Sequence, residues 1–297
     1  MSGTTLWEDF LGGEIRYYDA GGVRTRCLEA GSGEPLVLLH GNGGHAEIFI
    51  RNIKQLAEHF RVYVIDMLGH GFTGKPDIDY LIPDYVNHVK HFMDAAGIAK
   101  ATFVGHALAG WVATYLTVFH AERVECLINL NGLTHLNEKG EDVQSGYDQI
   151  RTLSATATAA ATPESIRKRL EFVIDDPAEV TDELVAVRYV IYSQPETARV
   201  MEKITQVNTP AQRQFGLTAE QLKTIRVPVL LIFGDQHPLE KLENFQRMND
   251  LIPGSQLRVM ADANLLAMWE KPDEFNRLVL EFLTNDHTTR LRRHRCE

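Results

Sequence analysis

The sequence predicts an α/β protein built on a mostly parallel sheet. Short apolar, β-branched runs recur along the chain, and stretches with helical spacing separate them. Alternation of this kind indicates buried parallel strands covered by helices on both faces. The alternation stops after Leu133 and resumes at Val227, so a helical insertion interrupts the sheet.

The elements follow in order. "EPLVLLHG" reads as a strand and "AEIFIRNIKQLAEHF" as a helix. "RVYVIDMLGHG" is a strand that ends in a Gly-rich turn, and "PDYVNHVKHFMDAAGI" is helical. "ATFVG" is a strand, "ALAGWVATYLTVFHAERV" a helix and "ECLINLNG" another strand. "SATATAAATPESIRKRLEF" and "TDELVAVRYVIYSQPETARVMEKI" are helical and polar; Thr162 or Ser165 starts one helix, with Pro163 in its first turn. "VPVLLIFG" and "SQLRVM" resume the strands, and "PDEFNRLVLEFLTN" is the closing helix. There is no internal repeat or low-complexity linker.

Composition narrows the function classes. A net charge of −10 argues against general nucleic-acid affinity. The one basic cluster, "RLRRHRCE", reads as a solvated C-terminal tail. Cys27, Cys126 and Cys296 are far apart and fit no zinc spacing; Cys27 and Cys126 read as buried thiols. The N-terminus lacks the pattern of a signal peptide, and no apolar run is long enough for a membrane span. A cytoplasmic protein acting on a small molecule is expected, without metal or cofactor, as a monomer or homodimer.

Five stretches, "LLHGNGGHAEIF", "VYVIDMLGHGFTGKPD", "FVGHALAGWVA", "LLIFGDQHPLE" and "AMWEKPDEF", carry a resemblance over nearly the whole chain. The chain resembles the α/β-hydrolase superfamily, and within it the meta-cleavage-product hydrolases, which cut C–C bonds in ring-fission products. Carboxylesterases of similar build are close behind. The resemblance implies an eight-stranded sheet, a core at 1–134 and 219–297, and a helical cap at 135–218 over a largely apolar pocket.

It also implies a Ser nucleophile, an Asp and a His. All three positions depart from that pattern. The nucleophile position is Ala107; the Asp position, three residues after Gly234, is His237; the His position, five residues before Glu270, is Leu265. Asp235 sits two residues before the expected place, and His40 reads as a brace for loops. Ordinary acyl-enzyme catalysis is therefore not expected. The backbone donors of an oxyanion hole remain, from Asn42 or Gly43 and from Leu108.

The departures cluster at Ala107, Ala109, His237, Asn264, Leu265 and Leu266, which suggests a pocket repurposed by evolution or by design. Ala109, Asn264, Leu266 and Trp111 are assigned to its lining. His237 is read as a base or nucleophile, with a polar loop residue as the competing reading. Arg188, Tyr189 and Tyr192 read more readily as a solvated helix face than as contacts to a ligand. His45, His70 and His135 lie on loops without metal-site spacing. The expected function is cofactor-independent chemistry without an acyl-enzyme. The alternatives are a non-catalytic small-molecule binder and an inactivated C–C or ester hydrolase.

Overall fold

The computed structural model describes residues 5–132, 144–207 and 209–293, with the side chains of 144–147 and 285–293 excepted. His135, Cys296, the side chains of the basic C-terminal run and the first expected cap boundary lie outside these residues.

Eight strands form one sheet: β1 (Glu14–Ala20), β2 (Val23–Ala30), β3 (Pro35–Leu39), β4 (Arg61–Ile65), β5 (Ala101–His106), β6 (Val124–Leu130), β7 (Val229–Gly234) and β8 (Gln256–Met260). Their order is β1-β2-β4-β3-β5-β6-β7-β8. β1–β2 and β2–β4 pair antiparallel, and the other pairs are parallel. The chain is thus an α/β fold with a mostly parallel sheet.

β5 and β7 are buried at every position, which is why they read as unbroken apolar runs. β1 is an exposed edge that carries Glu14, Arg16 and Asp19, charges that discourage further strand pairing. The β1–β2 hairpin was not read from the sequence, although Gly21 and Gly22 separate its strands. Gly-Gly between two extended runs is a hairpin signal, and both glycines take positive φ.

The helices are α1 (Ile50–Ala57), α2 (Ile82–Ala95), α3 (Leu108–Phe119), α4 (Gln144–Ala159), α5 (Pro163–Glu171), α6 (Asp182–Tyr192), α7 (Pro195–Ile204), α8 (Pro210–Arg213), α9 (Ala219–Leu222), α10 (Leu242–Leu251), α11 (Ala267–Glu270) and α12 (Pro272–Arg293). α4 to α9 lie between β6 and β7, with no strand among the described residues there. Thr162 caps α5 and Pro163 opens it; Thr162 Oγ1 accepts from Ser165 N while Ser165 Oγ accepts from Thr162 N.

Tertiary bonds tie this helical segment to the sheet. Tyr192 donates to the Gly43 carbonyl at 2.8 Å, Gln212 Nε2 to the Tyr80 carbonyl at 2.7 Å, and Leu266 N to the Val173 carbonyl at 3.1 Å. Cys27 and Cys126 are buried and form no disulfide. No described helix is long and apolar enough to cross a membrane.

Candidate functional site

Parallel strands bring their carboxyl ends to one edge of the sheet, and the loops that leave them meet there. Loop 40–44 follows β3, Ala107 follows β5, Asn131 follows β6, His237 lies just past β7, and Leu265 lies past β8. Residues far apart in sequence line one cavity, among them Ala107, His237 and Leu265. Asn42, Leu108, Trp111 and Leu266 line it as well.

Ala107 sits at the strand-to-helix turn with φ 50° and ψ −116°. This is a left-handed conformation that costs a non-Gly residue of order 1–3 kcal/mol. The turn is possible because its neighbours are small. A Cβ on Gly105 would lie 2.3 Å from the Ala109 carbonyl oxygen, and one on Gly110 would lie 2.7 Å from Asn129 Oδ1. α3 begins immediately after Ala107 and aims its N-terminus at the cavity wall. The N–H groups of Leu108 and Asn42 have no acceptor among the described residues. Gly43 does not line the cavity; its carbonyl is bound by Tyr192.

Two assignments to the lining are corrected. Ala109 is fully buried against β5 at the close approach to Gly105. Asn264 turns its side chain back to its own loop, where Oδ1 accepts from Leu265 N at 2.6 Å. Its backbone is held by Glu270 Oε2, at 2.9 Å from Asn264 N, and by Asn131 Nδ2, at 3.1 Å from the Asn264 carbonyl.

His237 reaches the cavity, but its nitrogens are committed. Nδ1 accepts from the N–H of Leu239 and of Glu240, each at 3.1 Å. Those donors fix the proton on Nε2, which faces the Asn131 carbonyl at 3.4 Å. The ring stacks on Phe233 with centroids 5.5 Å apart. Burial lowers its pKa to about 4, so the ring is neutral, yet no lone pair is presented to a substrate. The geometry is that of the competing reading, a loop residue with local hydrogen bonds. Asp235 is exposed and off the site.

His40 braces loops: Nδ1 donates to the Gly41 carbonyl at 2.8 Å and Nε2 accepts from Met67 N at 3.0 Å. Asn131, which sequence reasoning missed, knits three strand ends together. Its Nδ2 donates to the carbonyls of Asn264 and Leu265 at 3.1 and 3.0 Å, and its Oδ1 accepts from Gly234 N at 2.9 Å.

The largest departure from the sequence reading lies in the helices above the sheet. Arg188 and Tyr192 are buried rather than solvated, and only Tyr189 of that trio is exposed. Arg188 lines the cavity and has no carboxylate partner among the described residues; its Nε donates to His45 Nε2 at 3.5 Å. Behind it, His45 Nδ1 donates to Glu47 Oε2 at 2.9 Å. Glu47 in turn pairs with buried Arg26, which Asp66 Oδ2 meets at 3.1 Å. Burial lowers the Arg188 pKa to about 10, which still leaves it charged at neutral pH. Arg169 and Arg151 also line the cavity, and no Asp or Glu does among the described residues.

A sequence signal for the inward arginines existed. Ile166, Arg169, Leu170 and Val173 follow the i, i+3, i+4, i+7 spacing of a core-facing stripe, and Leu184, Arg188 and Ile191 follow i, i+4, i+7. A charge within such a stripe is an inward charge.

A cavity at the carboxyl edge of a parallel sheet, lined also by residues of the overlying helices and set beside a strained strand-to-helix turn, is the site of an α/β-hydrolase-type protein. The chain belongs to the alpha/beta hydrolase fold family, whose model matches residues 34–272. It is 30% identical over 275 residues to the 2-hydroxy-6-oxo-6-(2'-aminophenyl)hexa-2,4-dienoic acid hydrolase of Metapseudomonas resinovorans, covering 91% of this chain and 90% of that protein. It is 28% identical to the 2-hydroxy-6-oxo-2,4-heptadienoate hydrolase of Pseudomonas putida, covering 89% and 94%. Among solved structures, it superposes with a TM-score of 0.80 and 30% identity on a meta-cleavage product hydrolase from Pseudomonas fluorescens, a Ser-to-Ala mutant complexed with acetates. That match covers 93% of this chain and 99% of the other.

Proposed function

We propose that this chain binds a carboxylate-bearing, partly apolar small molecule in its pocket and works without an acyl-enzyme. The helices of the 135–218 insertion act as the cap. The observation that carries the reading is Arg188: a buried guanidinium facing a cavity that no described acid lines. Burying an unpaired charge costs several kcal/mol, and an anionic ligand offsets that cost. Ile48, Val173, Leu265 and Leu266 supply an apolar wall for the rest of the ligand. The relatives support the class, since two are named for dienoic acids or dienoates, and a Ser-to-Ala relative was crystallised with acetates.

A methyl group at position 107 and an isobutyl group at 265 offer neither nucleophile nor base. His237 is not assigned the base role, because its lone pair is already bonded. A second reading has one observation in its favour. The Asn42 and Leu108 N–H groups are free of described acceptors, so they can hold an enolate or other oxyanion of the bound acid.

The test is calorimetric binding of benzoate against benzamide, its neutral isostere. Benzoate should bind and benzamide should not, and Arg188→Met should narrow the difference. Equal affinity for the two would overturn the carboxylate reading. Exchange of the α-proton of a bound 2-oxo acid, followed by NMR in D2O, separates enolate chemistry from binding alone.

A further inference from the structure

Arg188 does not stand alone. Arg169, on α5, is buried and lines the same cavity. Its one described hydrogen bond runs from Nε to Ser154 Oγ at 2.9 Å, and its Nη1 is buried with no partner. Arg151, the third arginine of the wall, differs because Asp148 already pairs with it. Two of the three cavity arginines are therefore uncompensated among the described residues.

The two converge. The Arg188 guanidinium carbon lies 5.9 Å from the centroid of the Tyr192 ring. The Tyr192 hydroxyl and Arg169 Nη2 both border Gly43, where a Cβ would lie 2.9 Å from the first and 3.4 Å from the second. Tyr192 thus lies near both guanidiniums; burial lowers the pKa of each, and the charge of Arg169 lowers that of Arg188 further. Arg169 borders Gly43 and Arg188 reaches His45, so both sit beside the loop that follows β3. One carboxylate neutralises only half of this charge. Two carboxylates at opposite ends of a long ligand would leave one guanidinium facing no anion.

We propose that the cavity is built for a compact dianion, a ligand head with two negative groups on neighbouring atoms such as a cis-dicarboxylate, with Arg188 holding one and Arg169 the other. This rests on the carboxylate reading above and specifies its ligand class. Charge-assisted bonds of this type are the strong ones, and guanidinium forks suit carboxylates in particular.

The probes are benzoate, phthalate (two adjacent carboxylates) and terephthalate (two opposed carboxylates), titrated calorimetrically into the full chain. Phthalate should bind at least about tenfold more tightly than benzoate, the worth of one charge-assisted pair. Terephthalate should resemble benzoate. Arg169→Met should reduce the phthalate-to-benzoate ratio to within about threefold, and Arg169→Lys should restore part of it. Unchanged melting of each variant shows that the fold is retained. A merely structural Arg169 would not move the ratio. Phthalate binding no better than benzoate, terephthalate binding as well as phthalate, or a ratio that survives Arg169→Met would each overturn the proposal while leaving the carboxylate reading in place. Failure of all three acids to bind would overturn both.

Discussion

Nε2 of His106 donates to the carbonyl oxygen of Leu265 at 2.9 Å, while Nδ1 accepts from Gly41 N at 3.1 Å. The residue before the turn therefore bolts the loop after β3 to the loop after β8. Both ring nitrogens are used, and burial pushes the pKa down to about 3.

Restoring a hydroxyl should therefore achieve little. Ala107→Ser places an Oγ at the turn, but neither His106 nor His237 can take its proton, and Leu265 has none to exchange. Triad members act as a unit, so one without the others recovers little. Neither the parent nor Ala107→Ser should label with a fluorophosphonate or give a burst with activated esters. Labelling at position 107 in the single variant would show that a base is available after all.

Ala107→Gly should stabilise the fold. The φ of 50° at Ala107 is strained for any residue with a Cβ. Relief of about 1–3 kcal/mol is partly offset by the greater unfolded-chain freedom of Gly, about 0.4–1 kcal/mol. A net gain of about 1 kcal/mol in urea unfolding is expected, with an unchanged m-value. A loss would mean that the methyl contact with the cavity wall outweighs the strain.

Acid should weaken the protein before its carboxylates titrate. His40, His70, His88 and His106 have pKa values lowered to about 3, and His237 to about 4, all chiefly by burial. In the unfolded chain these imidazoles titrate near 6.5. Their stabilising contribution is full above that pH and is lost progressively as pH falls from about 6.5 towards 4 and 3. At pH 5 the unfolded state binds about five more protons through these groups, so stability should fall steeply between pH 6.5 and 5. Unfolding calorimetry in buffers of different ionisation enthalpy counts the protons. An uptake near zero at pH 5 would mean that these rings are charged in the fold.

The helical insertion should exchange its amide protons faster than the sheet. The "SATATAAAT" segment, which ends α4 and leads to α5, offers few large apolar anchors, whereas β7 is buried along its length and β3 from Leu36 onward. Hydrogen exchange read by mass spectrometry should separate the two. Equal protection would argue against a cap that opens independently.

The sequence alone determined the α/β class, the order of most elements and the place where the sheet is interrupted. It did so because buried parallel strands must be short apolar runs and their covering helices must repeat at 3.6 residues. It also fixed the chemistry missing from the turn, since Ala107 and Leu265 carry no reactive group in any conformation. Only the tertiary structure decided what the remaining polar groups do. His237 and His106 look alike on paper as free imidazoles, but backbone groups from distant loops, at Leu239, Glu240, Gly41 and Leu265, occupy their nitrogens. In the sequence Arg188 reads as part of a solvated helix face because arginine is rarely buried unpaired, yet the structure turns both it and Arg169 inward. Their inward direction follows from how α5 and α6 pack over the carboxyl edge of the sheet. Burial and hydrogen-bond partnership belong to the packed whole, and among the described residues they leave Arg169 and Arg188 on the cavity wall without a carboxylate partner.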